Sequence, residues 1–98
     1  MLSGEIATLL SGMIRRGYEV YVGKVSSYEV DFIAMNENGV EYYQVSATVR
    51  NKETLVNELR PLENISDHNP KYLITLDDDP PVSHNRIKQI NALDFLTQ

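Results

Sequence analysis

Residues 29–47, EVDFIAMNENGVEYYQVSA, hold two runs of alternating apolar and polar residues on either side of Asn38-Gly39. An Asn-Gly pair suits a tight turn whose central residues need positive φ, so the two runs are expected to form an antiparallel hairpin. If Asn38 and Gly39 make a two-residue loop, Glu37 pairs with Val40, Asp31 lies opposite Ser46 and Ile33 lies opposite Gln44. A four-residue loop keeps the grouping of faces and sets Asp31 directly opposite Gln44. In either register, period-two alternation projects Asp31, Gln44 and Ser46 from one side, and Val30, Phe32, Tyr43 and Val45 from the other. An odd loop length or a bulge would separate them.

Upstream, Ile6, Leu9, Leu10, Met13 and Ile14 recur at helical spacing from residue 2 to 16, and Gly17 follows as a C-terminal cap. Arg15 and Arg16 suit the negative end of that helix. Glu5 falls in its first turn, where a carboxylate is favoured. Residues 18–24 read as a strand with Tyr18, Val20 and Val22 on one face, and Ser26-Ser27 connects it to the hairpin. Gly17 and Gly23-Lys24 do not make a phosphate loop: the spacing is one residue too long, and Val25 stands where a hydroxyl residue is required.

Downstream, Asn51 can cap a helix that begins at Lys52 with the stripe Leu55, Val56, Leu59 and Leu62, and Pro61 should kink it or end its regular part near Arg60. Residues 67–70 read as a turn and residues 72–76 as a buried central strand. Asp77, Asp78, Asp79, Pro80 and Pro81 form a loop, expected to be solvated. Residues 86–91 are a last strand at an edge of the sheet, and residues 92–96 add a helical turn. His68 and His84 fall in loops, as surface residues. The fold class is α/β, order αβββαββ, with a mixed sheet of about five strands flanked by helices, because a helix between the third and fourth strands is the usual crossover joining parallel neighbours.

The 98 residues make one domain, spanning 1–98. With no cysteine, disulfides and thiolate metal sites are excluded. No long apolar run or charged-then-apolar leader is seen, so a cytoplasmic chain without a membrane partner is expected. Nine basic residues against fourteen acidic ones leave a formal charge of -5, which opposes strong non-specific binding to nucleic acid except through a local basic patch.

Placed on a helix and two neighbouring strands, Glu5, Asp31 and the Gln44-Val45-Ser46 triplet resemble the PD-(D/E)XK nuclease superfamily. In detail the chain is most similar to the C-terminal domain that follows the ATPase module in a group of prokaryotic AAA-type ATPases. The stretches that carry the resemblance are RRGYEVYVGK (15–24), EVDFIA (29–34), YYQVS (42–46), ELRPLENI (58–65) and PKYLITLDD (70–78). It implies a restriction-endonuclease-like core, and a chain that is an excised module of a longer ATPase. No nucleotide site lies within the chain itself.

The resemblance also implies a magnesium site, because phosphodiester hydrolysis uses a divalent cation to polarise the phosphate and activate water. Asp31, the Gln44 side-chain oxygen and the Val45 carbonyl would form a partial shell, with Glu5 as an outer ligand. Two departures weaken the expectation of catalysis. Gln44 stands where an acid is usual, which removes a negative charge, and Ser46 stands where the family has lysine, which removes the cation that stabilises charge on the phosphate. Lys24 or Lys52 would have to supply a displaced ammonium. Tyr42 and Tyr43 point to opposite faces, so one at most could stack on a base, and ordinary sheet packing is the expectation for both.

Three functions follow from this reading. The first is a nuclease-fold accessory domain with a degenerate active site, binding DNA or a protein partner such as the ATPase module. The second is an active magnesium-dependent deoxyribonuclease using Asp31, Gln44 and Glu5. The third is a docking or self-association module that uses an exposed sheet edge.

Overall fold

The computed structural model describes residues 3–25 and 28–97, and gives the backbone alone for residues 3–6, 22–25 and 28–29. Three helices and six strands follow in the order α1 (Ser3–Arg15), β1 (Glu19–Val25), β2 (Tyr28–Asn36), β3 (Gly39–Ser46), α2 (Lys52–Glu63), β4 (Lys71–Thr75), β5 (Val82–His84), β6 (Ile87–Asn91) and α3 (Ala92–Leu96). The fold is α/β, with one mixed sheet in the order β1-β2-β3-β4-β6-β5. β3, β4 and β6 run parallel; β1, β2 and β5 run antiparallel to their neighbours.

Each face of the sheet is buried by different helices. Leu9 and Met13 of α1 and Phe95 of α3 pack with Phe32, Tyr43, Val45, Ile74 and Ile90 on one side. On the other, Leu59 and Leu62 of α2 pack with Tyr42, Leu73 and Ile87. Alternation along β3 does the sorting, since Tyr42 faces α2 while Tyr43 faces α1 and α3. Ile14 falls outside the stripe of α1 and is exposed. The helix ends at Gly17, at φ 90°, with the Tyr18 N–H donating to the Met13 carbonyl at 3.1 Å. Pro61 lies inside the last turn of α2, which continues to Glu63.

The hairpin forms with its turn one residue earlier than Asn38-Gly39. Asn36 pairs with Gly39 and Phe32 with Tyr43, so the loop is Glu37-Asn38. Two features draw it there. The Asn36 side chain accepts the Asn38 N–H at 2.8 Å, and Gly39 takes φ 140° as the first residue of β3, a conformation that suits glycine. This is the register that sets Asp31 level with Gln44.

A second correction concerns Val30. Tyr21 pairs with Ile33 but Gly23 pairs with Val30, so β2 carries one extra residue in a bulge around Asp31. Beyond it the faces exchange: Val30 joins the α2 side instead of following Phe32, Tyr43 and Val45.

The far edge of the sheet differs from expectation as well. The last strand, β6, is interior, because a three-residue strand, β5, folds back onto it and takes the edge. His84 therefore lies in a strand, half-buried, with Nε2 2.8 Å from the Gln89 side-chain oxygen. Between β5 and β6 the two-residue turn Asn85-Arg86 has φ 50° and 74°. Asparagine is at home in the first of these positions, whereas the second favours glycine. Left-handed strain of roughly 1–2 kcal/mol outweighs the roughly 0.5–1 kcal/mol of added chain entropy that glycine brings. Arg86→Gly is thus expected to stabilise the chain by about 0.5–1 kcal/mol, read as a higher urea midpoint; a lower midpoint would contradict the turn assignment.

Asp77, grouped with its neighbours as a solvated loop, is buried. Its carboxylate accepts the Val49 N–H at 2.9 Å and lies 3.6 Å from Arg50 Nε. Burial alone would raise its pKa, but the Val49 N–H, the Thr48 hydroxyl and Arg50 together hold it below the usual carboxylate range. Asp77 thereby ties the segment leaving β3 to the end of β4.

Candidate functional site

The hairpin register brings two of the candidate residues together. Continuing the hairpin register one step past Phe32–Tyr43 places Asp31 beside Gln44. Instead of backbone pairing, two side chains bridge the strands. Asp31 Oδ2 accepts the Val45 N–H at 2.7 Å, and Gln44 Oε1 accepts the Asp31 N–H at 2.7 Å. These reciprocal bonds satisfy donors that the broken ladder leaves without carbonyl partners.

Gln44 is buried beneath α2, and its amide nitrogen donates to Glu58 Oε1 at 3.4 Å. Glu58 is the residue that sequence reading missed. It flanks the apolar stripe of α2, and the packing of α2 on the sheet turns it toward Asp31. A sequence signal does exist, since Glu58 follows Leu55 by three residues and precedes Leu62 by four, and so shares their side of the helix.

Asp31 and Glu58 are half-buried carboxylates, close enough for the Asp31 charge to act on Glu58. Burial raises the Asp31 pKa, partly offset by the Val45 N–H. Burial also raises the Glu58 pKa, as does the Asp31 charge, partly offset by the Gln44 amide. Because the folded values lie above the unfolded ones of about 4, the folded chain holds these protons more tightly than the unfolded chain. The resulting stability is full below the unfolded values and is lost as pH rises through the folded ones. Glu58→Gln is expected to raise the thermal midpoint near pH 7 and leave it unchanged near pH 3.5. Equal midpoint shifts at both pH values would disprove the coupling.

Ser46 does not join this group through its hydroxyl, which donates to the Thr48 carbonyl at 3.0 Å. Glu5 lies on α1, but its side chain is outside the described residues, as is that of Lys24. Lys52 is exposed at the start of α2. Among the described residues, no ion pair joins a lysine to Asp31 or Glu58. Tyr42 and Tyr43 are both buried: the Tyr42 hydroxyl donates to Asp67 and the Tyr43 hydroxyl to Glu41.

The oxygens implied as magnesium ligands are engaged by the chain itself. Gln44 Oε1 and Asp31 Oδ2 already accept backbone N–H groups, and Gln44 presents its remaining polar atom, an amide nitrogen, to Glu58. Among the described residues, no group of three histidine, cysteine, aspartate or glutamate side chains is arranged to hold a metal ion. The cluster is an acceptor-rich clamp that closes the sheet at a bulge. No helix among the described residues is long and apolar enough to cross a membrane.

Comparison with known proteins adds one relative. The chain is 35% identical over 86 residues to an uncharacterized protein of Haemophilus influenzae (strain ATCC 51907 / DSM 11121 / KW20 / Rd), in an alignment covering 88% of this chain and 21% of that protein. The chain thus spans about a fifth of the length of the curated relative it matches. No family model matches the sequence. No solved structure matches it either.

Proposed function

We propose that this chain is a restriction-endonuclease-like accessory module of a longer protein, with a degenerate PD-(D/E)XK centre, which binds nucleic acid or a protein partner without cutting. The observation that carries the reading is the double bridge between Asp31 and the Gln44-Val45 pair. The oxygens that would face a metal in a nuclease here hold the N–H groups of neighbouring strands. Gln44 and Ser46, in place of acid and lysine, point the same way. The match to a fifth of a longer relative supports a modular role, and the resemblance makes an ATPase the module's expected companion.

Branched, single-stranded and duplex DNA incubated with the chain and magnesium or manganese is expected to stay intact. Binding, where DNA is the partner, should weaken steeply with salt and survive Asp31→Ala. Metal-dependent cleavage that vanishes in Asp31→Ala would overturn the reading.

A second reading, an active magnesium-dependent deoxyribonuclease, draws on Glu58. A carboxylate on α2 close enough to feel the Asp31 charge offers the negative charge that Gln44 lacks. In that case Glu58→Gln and Asp31→Ala should abolish cleavage together.

A further inference from the structure

The turn between β5 and β6 borders a cleft of about 200 Å³ at the amino ends of β4 and β6. This lies away from Asp31, which adjoins the carboxyl end of β3. The cleft is lined by side chains of both charges. Glu63 comes from the last turn of α2, whose carboxyl end is the negative pole of the helix dipole. Arg86 and Asn85 come from the turn, and His68 and Asn69 from the loop before β4.

Lys71 and Asp67, which also line the cleft, neutralise one another. Lys71 Nζ donates to Asp67 Oδ1 at 3.2 Å and to the Asp67 and Asn69 carbonyls at 2.8 and 2.9 Å, which occupies its three protons. The Arg86 guanidinium is different: among the described residues, no hydrogen bond or ion pair engages it. Yet arginine occupies a backbone position, φ 74°, that glycine would fill with less strain. Residues held in such conformations gather at ligand sites.

We propose that this cleft binds a small zwitterion of amino-acid size, its carboxylate on Arg86 and its ammonium on Glu63. The guanidinium fork matches a carboxylate with two parallel hydrogen bonds. Asn69, Asn85 and His68 offer further polar partners around it. A ligand carrying only negative charge would meet Glu63 and the end of α2, and one carrying only positive charge would meet Arg86. A dipolar ligand offers a partner to each of these charges. The cleft is smaller than sites for drug-sized molecules, which suits a compact ligand.

The test is a titration of the isotope-labelled chain with glycine and with L-glutamine, followed by amide NMR shifts, beside acetate and methylammonium at matched ionic strength. Either amino acid should give saturable shifts confined to residues 63–71 and 85–87. Acetate and methylammonium alone should bind at least about tenfold more weakly. Arg86→Gly and Glu63→Gln should each weaken amino-acid binding at least about tenfold, and Arg86→Gly should do so while raising the urea midpoint. A variant that binds less yet is more stable rules out a purely structural role for Arg86. The proposal is overturned if neither amino acid gives saturable shifts up to about 50 mM, if acetate matches them, or if Arg86→Gly binds as well as the parent chain.

Discussion

Tyr43→Ala is expected to lower stability by about 3–5 kcal/mol, a large share of the roughly 5–15 kcal/mol that holds a chain of this size folded. Tyr43 is completely buried at the centre of the sheet, and its ring is stacked 4.7 Å from Phe32 and 5.0 Å from Tyr72, with Phe95 edge-on at 5.6 Å. Removing it opens a cavity among residues supplied by β2, β4 and α3, none of which can collapse without moving the sheet. The hydroxyl adds a smaller share. It donates to Glu41, which also receives the Tyr18 hydroxyl at 3.2 Å, and burial is the main reason the phenol pKa is pushed up. Tyr43→Phe should therefore cost only about 1 kcal/mol. Urea denaturation of the two variants checks the ranking; a phenylalanine variant as damaged as the alanine one would mean that the hydroxyl, and not the ring, holds this core.

Gln44→Leu is the second large effect, at about 1–3 kcal/mol, although it adds hydrocarbon to a buried position. Leucine has nearly the right volume and would be welcome at this buried position on transfer energy alone. What decides the sign is that the Asp31 N–H loses its acceptor at 2.7 Å and Glu58 loses its amide donor. A donor left without a partner costs more than one methylene gains. Gln44→Glu keeps the acceptor but sets a third carboxylate beside Asp31 and Glu58, so it should be destabilised near pH 7 and recover near pH 4. Thermal midpoints across that range test both variants. A leucine variant as stable as the parent would show that the bulge closes without this clamp, and the case for a structural use of Asp31 and Gln44 would fall with it.

The contrast between these neighbours explains how much was legible beforehand. Period-two alternation placed Tyr43 in a core and Gln44 across from it, and helical spacing picked out Leu9, Met13, Leu59 and Leu62, all of which are buried. It misjudged Ile14, at the margin of its stripe, because the stripe's width is set by what packs against it. The order of elements through β4 also followed from local signals, including the Asn51 cap, whose side chain accepts the Thr54 N–H at 3.1 Å. The β5 hairpin was missed, since three residues after two prolines are too few to show a periodicity.

The candidate site shows the same division. That an acid and an amide would share a neighbourhood followed from the chain itself, because strands joined by a short loop fix which residues can meet. Which atoms they meet did not. A bulge depends on how β1 lies against β2, Glu58 arrives only when α2 docks, and Asp77 is buried only because residues 47–50 fold over it. Local spacing determined the strands and helices and that Asp31 and Gln44 share a face; tertiary packing decided the register that sets them level and that their oxygens face backbone N–H groups, since those donors belong to segments brought together by the whole sheet.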